Sequence, residues 1–467
     1  MSQIPTNGFN ESSSSISSMA GMGDSTKSGI VPDNKMSQPG DIVLTEISLI
    51  SYTGFTMNVR GQLESIVLYE DLFSNALSGT LVLKDSMNLS KHFPVIGLEK
   101  VRVSFYTPGD VEGDQEIELQ FRGYAHKSLD SSTDNTKYLT IDLVSQIESK
   151  NKETRISRSY RKMPYSKMVE SLFEQLKEDG ITYKTVISKT SGLYNLIIPF
   201  WTPLYAINWI ASKSISTNSL SHCDFVFYQT IDGTYNFTSI SDLKQRDVVA
   251  RYNRAPGGRR DDAGNLPVQD YLRNIEDHIV LKSPDYWEAQ SLGVYSSNLT
   301  TFDITRKSVS RSNYNYYGQV TNNNEPKVAE EPLLPSVQKD ISRKYSSYRK
   351  FLPKHSYLFD GFRNNDNVEL YALRNQSLMQ RMHMMQLKIE VPGDSRLRVG
   401  DKINITIPST EDTKDKEEWR DTMLSGNYLI TSIRHLIQDG SYKMNMIVSR
   451  DSYEEPLPDA KEDLKIS

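Results

Sequence analysis

Ser221-His222-Cys223-Asp224 places a hydroxyl, an imidazole, a thiol and a carboxylate in four consecutive positions. These are the groups of nucleophilic catalysis: a thiolate or alkoxide attacks, a histidine carries the proton, and an acid orients the ring. Phe225 and Phe227 follow directly and read as a strand. Adjacent side chains on a strand alternate faces, so the four groups cannot converge on one substrate. Cys223 then reads as a small buried residue rather than a nucleophile.

Other segments carry chemistry-bearing residues without a matching framework. Residues 251–262 set Arg254, Arg259 and Arg260 beside Gly257, Gly258, Asp261 and Asp262. A phosphate could sit there, but no helix follows and no Lys-Ser/Thr pair is present, which favours a solvated loop. Tyr314, Tyr316 and Tyr317 could stack on sugars or nucleobases or meet a partner protein; an extended arm without a specific role is the alternative. Met379, Met382, Met384 and Met385 resemble an adaptable contact surface, although their helical spacing favours core packing. The acidic stretch Glu411–Asp421, with Trp419 inside it, reads as a loop between strands. The seven histidines lack metal-ligand spacing, and no zincin, nucleophile-elbow, Walker or dinucleotide motif occurs. No catalytic, cofactor-binding or metal residue is assigned, no cofactor is implied, and no enzyme activity is expected.

Short alternating strands dominate the framework. Phe55–Val59, Ile66–Leu68, Gly79–Leu83, Val101–Phe105, Ile117–Phe121 and Tyr138–Ser145 keep a period of two between Gly, Asp and Pro turns, as antiparallel strands do. The period changes near residue 150. Met168, Val169, Leu172, Phe173 and Leu176 share one helical face, with Ser166 as expected N-cap. Thr202-Pro203 opens a second helix carrying Leu204, Ile207, Ile210 and Ala211. Asp232-Gly233 between Phe225–Phe227 and Tyr235–Phe237 predicts a two-residue hairpin turn. A helix over Val368–Met385 leads into Leu387-Lys388-Ile389 and a second β-unit.

The 467 residues predict two to four packed units. A net charge of −5, spread along the chain, gives no footprint for nucleic-acid binding. The single cysteine excludes a disulfide framework and any multi-cysteine metal site. No charged-then-apolar leader and no apolar run near ~20 residues occurs, so a chain kept in a reducing cytosol, or in something assembled there, is expected.

One pattern occurs twice. Gly97-Leu98-Glu99-Lys100 precedes Val101, Val103 and Phe105, with Gly123 and Tyr124 beyond a polar loop; Gly400-Asp401-Lys402 precedes Ile403, Ile405 and Ile407, with Gly426 and Tyr428 beyond another. Gly97 to Gly123 and Gly400 to Gly426 have equal spacing, yet on that alignment the apolar residues fall one position out of phase. A one-residue slip swaps the buried face, so a bulge or a loop difference must separate the copies.

Tyr69-Glu70-Asp71-Leu72-Phe73, Leu77-Ser78-Gly79, Asp85 through Leu89, Phe93-Pro94-Val95-Ile96-Gly97, Ile198-Pro199-Phe200-Trp201-Thr202-Pro203, Val391-Pro392-Gly393-Asp394 and Leu424 through Ile430 together resemble the central baseplate hub proteins of contractile-tailed, T-even-like phages, over about residues 41–455. The resemblance implies a mixed β fold: two tube-type antiparallel β-barrel domains separated by an α/β region. With the segments read from composition alone, the expected division is a flexible Ser/Gly-rich arm over 1–40, a first tube-type barrel over 41–150, an α/β insertion over 151–262, a polar Tyr/Asn-rich connecting and peripheral region over 263–365, a second barrel over 366–455, and a charged tail over 456–467; the arm and the 305–345 stretch inherit nothing from the resemblance. It also implies a homotrimeric symmetry adaptor in the virion baseplate, assembled in the host cytoplasm. Its partners would be itself, the central spike, the tail tube, and tape-measure and wedge proteins, with DNA passing through the channel and no membrane insertion. The rival readings are a receptor- or carbohydrate-binding tail protein, a tail-associated peptidoglycan hydrolase, and the hub of another contractile injection system.

Overall fold

In the computed structural model, residues 38–456 are described apart from 86–92, 94–95, 98, 109–115, 131–136, 178–182, 255–271, 322–324, 334–347, 355–367 and 410–419. The N-terminal arm, most of the 251–262 loop and most of the 411–421 stretch lie outside the described residues.

The first β-unit comprises β1 (Val43–Ile50), β2 (Thr56–Asn58), β3 (Leu63–Asp71), β4 (Ser78–Asp85), β5 (Lys100–Tyr106), β6 (Ile117–Asp130) and β7 (Lys137–Ser145). An α/β insertion follows: α1 (Gln146–Glu153), β8 (Ile156–Met163), α2 (Tyr165–Glu174), β9 (Thr185–Ile187), β10 (Tyr194–Trp201), α3 (Pro203–Ala211), β11 (Phe225–Gln229), β12 (Tyr235–Ser239) and α4 (Ile240–Lys244). The chain then lays down β13 (Val248–Asn253) and β14 (Asp277–Lys282). A peripheral lobe holds α5 (Tyr286–Ser291), β15 (Ser296–Asp303), β16 (Ser308–Asn315), α6 (Tyr316–Thr321), β17 (Glu331–Pro332), β18 (Tyr348–Lys354) and α7 (Val368–Arg381). The chain ends with β19 (Met385–Pro392), β20 (Lys402–Thr406), β21 (Gly426–Gln438), β22 (Ser441–Arg450) and β23 (Ser452–Tyr453).

Both β-units lie in one mainly antiparallel sheet and share a core. The first unit is ordered β1-β5-β6-β7-β4-β3 and the second β13-β20-β21-β22-β19-β14. With the short β2, which pairs with the far edge of β1, set aside, six strands of each unit taken in chain order occupy the same six places. One pairing differs in sense: β1 is antiparallel to β5, whereas β13 is parallel to β20. The units join where β3 pairs antiparallel with β21. Strand pairing closes neither unit into a continuous barrel among the described residues. An isolated bridge, Asn253 with Asn274, approaches closure in the second unit, whereas Asp41 bridges to Ser441 of β22 and so links the first unit to the second.

The registers show how the copies match. Val101 pairs with Phe121, and Ile403 with Tyr428. Gly123 N–H donates to the Glu99 carbonyl at 3.0 Å, and Ile430 N–H to the Asp401 carbonyl at 2.9 Å. The long central strand of each copy shifts register at that point, between Gly123 and Ala125 in β6 and between Ile430 and Ser432 in β21. Gly123 therefore corresponds to Ile430, not to Gly426, and Val101, Val103 and Phe105 fall on Ile403, Ile405 and Ile407 in phase. All six are buried. The glycines misalign because the first copy has one residue more between its glycine and β5. Gly97 and Gly400 both take φ near +90° (90° and 89°), which favours glycine, but stand two and one residues before Glu99 and Asp401.

Other expectations shift in detail. α2 begins after Pro164, not Ser166: Pro164 takes extended angles (ψ 151°) and the Ser166 N–H donates instead to Thr190 Oγ1 at 2.8 Å. α3 starts at Pro203 behind Thr202, as its sequence predicts. The β11–β12 hairpin is longer than a two-residue turn. Gln229 pairs with Tyr235, Gly233 N–H donates to Thr230 O, Thr230 N–H donates to Thr234 O, and Gly233 sits at φ +79°. That is a turn followed by a left-handed glycine, the three-residue solution. α7 stops at Arg381, before β19 begins at Met385.

Candidate functional site

The residues that could do chemistry are dispersed. His222 Nδ1 meets Asp242 Oδ1 at 2.7 Å, Asp224 Oδ2 accepts from Ser241 Oγ at 2.9 Å, and the Ser219 and Ser221 hydroxyls lie 2.7 Å apart. Cys223 is fully buried, its Sγ 3.9 Å from the Tyr371 carbonyl. Burial, with Asp224 alongside, pushes its thiol well above the ordinary range. The four groups have separate partners, so they form no nucleophile set. Met382, Met384 and Met385 are buried and Met379 packs partly buried against the core, which is the filler reading. No group of three or more His, Cys, Asp or Glu suited to a metal ion occurs among the described residues. No helix among them is long and apolar enough to cross a membrane.

Two of the three tyrosines of the tyrosine-rich segment face inward, while Tyr317 is half-buried. Tyr314 and Tyr316 are buried in the core of the peripheral lobe with Tyr295 and Leu378. The Tyr314 hydroxyl donates to Glu325 Oε2 at 2.9 Å, and Arg381 Nη2 donates to the same oxygen at 2.6 Å. Both residues are therefore unavailable for stacking on a ligand. They sit in a polar stretch because their Asn and Ser neighbours cover the solvent side.

Three buried polar nodes stand out instead, two of them where units meet. At the first, between the β-units, Glu70 Oε1 accepts from Val399 N–H at 3.0 Å and Glu70 Oε2 lies 3.3 Å from His435 Nε2. His435 Nδ1 lies 2.7 Å from the Tyr442 hydroxyl, and the Tyr442 ring meets Phe105 edge-on at 6.1 Å. A Glu–His–Tyr chain could relay protons, but all three side chains have no exposure to admit a substrate. Thr107 and Ser395 add a reciprocal pair, each hydroxyl accepting the other's backbone N–H at 3.1 and 3.0 Å. At the second node, where the insertion meets the end of β22, Lys244 Nζ donates to Asp451 Oδ2 at 2.9 Å with both side chains fully buried. Asp451 Oδ1 accepts from Val328 N–H. Burial would raise the Asp451 carboxyl, but Lys244 and Arg381 hold it below the usual range. The third node, Glu325 with Arg381, lies inside the lobe and fixes the end of α7 to the segment after α6. Sequence reasoning missed all three nodes, because their members stand far apart in the chain and no spacing relates them.

The outer face of the insertion keeps apolar side chains in solvent: Ile197, Phe200 and Tyr205 are exposed. Phe200 also takes φ +53°, strained for a bulky residue.

No family model matches this chain, and no curated protein matches it by sequence. Among solved structures, the chain resembles the tail protein from Neisseria meningitidis MC58, with a TM-score of 0.51 and 12% identity over 87% of this chain and 96% of that one. The 43 kDa tail protein of prophage MuSo2 from Shewanella oneidensis aligns with a TM-score of 0.49 and 12% identity over 87% and 98% of the two chains. The Neisseria comparison establishes a shared fold across most of both chains. The shared fold is mixed and mainly antiparallel β.

Proposed function

We propose that this chain is a structural hub of a phage-type tail, a homotrimeric adaptor between a six-fold tail tube and a three-fold central spike. The observation that carries the reading is the strand order found twice, with matched registers, in one chain. Three such chains supply six equivalent β-units, so one ring can meet a six-fold partner on one side and a three-fold partner on the other. Each unit would act as a tube-type barrel, the isolated Asn253–Asn274 bridge lying where the second would close between β13 and β14. The insertion and the lobe would decorate the outside. DNA and tape-measure protein would pass through the centre without sequence-specific contacts. Buried junctions and separately partnered Ser221, His222, Cys223 and Asp224 suit a non-enzymatic scaffold. Sedimentation mass with negative-stain imaging tests the reading: a trimer with six lobes in a ring is expected. A chain that stays monomeric at high concentration, even with its spike, would overturn it.

A further inference from the structure

The three-stranded sheet of the peripheral lobe turns one face to solvent. β15 lies between β16 and β18, antiparallel to the first and parallel to the second. Ser297, Leu299 and Thr301 point into the lobe, so Asn298, Thr300 and Phe302 point out. The registers set Asn313, Arg311 and Val309 beside them on β16, and Arg349, Phe351 and Pro353 on β18. The face therefore grades from amides and an arginine at one end to Phe302, Val309 and Pro353 at the other, where the β15–β16 turn begins.

The turn extends the apolar end. Residues 304–311 are all exposed, so this end of the hairpin stands clear of the lobe. Ile304 is 68% exposed, Val309 and Phe351 are 66% exposed, and Phe302 is 39% exposed. The buried Asp303 carboxylate accepts the Thr305 and Arg306 N–H groups at 3.0 and 3.1 Å, which fixes the turn that carries Ile304. Charge on these elements is one-sided. β15, β16, their turn and β18 carry six basic residues, Arg306, Lys307, Arg311, Arg349, Lys350 and Lys354, against one acid, Asp303. Lys354 Nζ is taken up by Glu369 at 2.8 Å, and Lys350 pairs with Leu299 on the inward side. Arg306, Lys307, Arg311 and Arg349 stay exposed around the apolar end, in a chain whose net charge is −5.

Aliphatic groups on a protruding tip, ringed by cations, match the boundary between anionic headgroups and acyl chains. A stacking platform for nucleobases needs aromatics along the face, and Ile304, Val309 and Pro353 take those places instead. We propose that the β15–β16 hairpin end is a peripheral docking site for an anionic lipid bilayer. Ile304, Phe302 and Val309 enter the interface, Phe351 follows at its edge, and Arg306, Lys307, Arg311 and Arg349 meet headgroup phosphates. The hairpin lies in the interface without crossing it, and the site does not depend on the ring reading.

Flotation of the full-length protein with vesicles tests the site. Binding is expected to POPC vesicles containing about 30% POPG, weakening as salt rises, and not to POPC alone. Arg306→Gln, Lys307→Gln and Arg311→Gln are each expected to weaken partition about fivefold. Ile304→Ser with Val309→Ser is expected to weaken it more than about tenfold. All five side chains are exposed, and an unchanged urea midpoint checks that each variant folds. Cys223, the single native cysteine, is fully buried, so Ser308→Cys places an environment-sensitive dye at the tip alone. Its emission is expected to shift to the blue with POPG vesicles, whereas the same dye at Glu118→Cys in the first β-unit is expected to stay unchanged. Equal binding to both vesicle types, or undiminished binding by the Ile304/Val309 double variant, would overturn the proposal. So would the absence of vesicle binding: loss of oligothymidylate binding in the charge variants would then make the face a nucleic-acid contact, and a changed sedimentation of the double variant would make it a contact between copies.

Discussion

Glu70 and His435 stand 365 positions apart in the chain and 3.3 Å apart in the fold. They face each other across β3 and β21, the strand pair that fuses the two β-units into one sheet. Leu68, not Glu70, is the backbone partner of His435, so the carboxylate reaches diagonally to the imidazole while also accepting the Val399 N–H. Val399 belongs to the turn before β20. One buried carboxylate thus holds a strand of the first unit against a strand and a turn of the second.

Removing that carboxylate leaves buried donors without partners, which costs more than the bonds are worth when made. Glu70→Ala is expected to destabilise by about 3 kcal/mol, and Glu70→Gln, which keeps an acceptor oxygen and the shape, by about 1 kcal/mol. Urea unfolding midpoints check this, with exposed Glu118→Ala as the reference. If Glu70→Ala matched Glu118→Ala, the node would contribute nothing to the junction.

Lys244 and Asp451 pose the buried-charge case more sharply, since neither is exposed. Lys244→Met strips the buried carboxylate of its direct cationic partner, leaving it the Val328 N–H and the field of Arg381, and is expected to cost about 3–5 kcal/mol. Adding Asp451→Asn removes the stranded charge while an amide oxygen still accepts the Val328 N–H, so the double variant is expected to regain most of that loss. A double-mutant cycle on unfolding free energies decides it. Strictly additive losses would show that the pair is not coupled.

The strand faces of both units were legible because alternation records burial directly: Val101, Val103 and Phe105 are inward, as are Ile403, Ile405 and Ile407. Their correspondence was not. Glycines anchored the sequence alignment, but Gly123 lies within β6 at a register shift and Gly426 begins β21. The difference before β5 and β20 follows from side-chain reach. Glu99 accepts the N–H groups of Ile96 and Gly97, and the shorter Asp401 accepts that of Arg398, so the two turns close differently. Pairings such as β13 with β20, or Glu70 with His435, leave no local pattern because tertiary closure alone brings them together. Tyr314 and Tyr316 could have been read from their alternation with Asn313 and Asn315; the polar composition masked it.

Asp401 gives the fold a pH signature. Burial pushes its carboxyl up to about 6, Glu70 adds to the rise, and the Arg398 N–H together with Arg398 and Arg246 opposes it. The ordinary value of 3.8 lies below the folded one. Above about pH 6 the group is ionised in both states, and the cost of burying its charge is fully present. Between about pH 6 and pH 4 the folded state takes up the proton first, so the contribution from this group becomes more favourable as pH falls; below 3.8 it levels off. Asp401→Asn keeps an acceptor for Arg398 and is expected to remove a pH-dependent difference of about 2 kcal/mol between pH 7 and pH 4. Unfolding midpoints at both pH values in parent and variant check the sign. Equal slopes would assign the pH dependence to other groups.

Gly393 tests how tightly the second unit closes over its core. A Cβ at this position would fall inside the ring of Tyr442, and the Gly393 N–H is fixed by its 2.8 Å bond to the Tyr442 carbonyl. The ring cannot move aside easily: it is fully buried, its hydroxyl contacts His435, and Phe105 of the first unit abuts it. Gly393→Ala therefore forces either the backbone of the Pro392–Asp394 turn or the inter-unit contact to shift, an overpacking cost of about 1–3 kcal/mol. Gly61→Ala is the matched control, since nothing lies within 4 Å of its Cβ position and its φ is not in the left-handed range. That control is expected to stay within about 0.5 kcal/mol of the parent. Thermal unfolding of the two variants separates the readings. A Gly393→Ala protein as stable as Gly61→Ala would mean that Tyr442 yields at little cost, and that Phe105 and His435 do not lock the ring between the units.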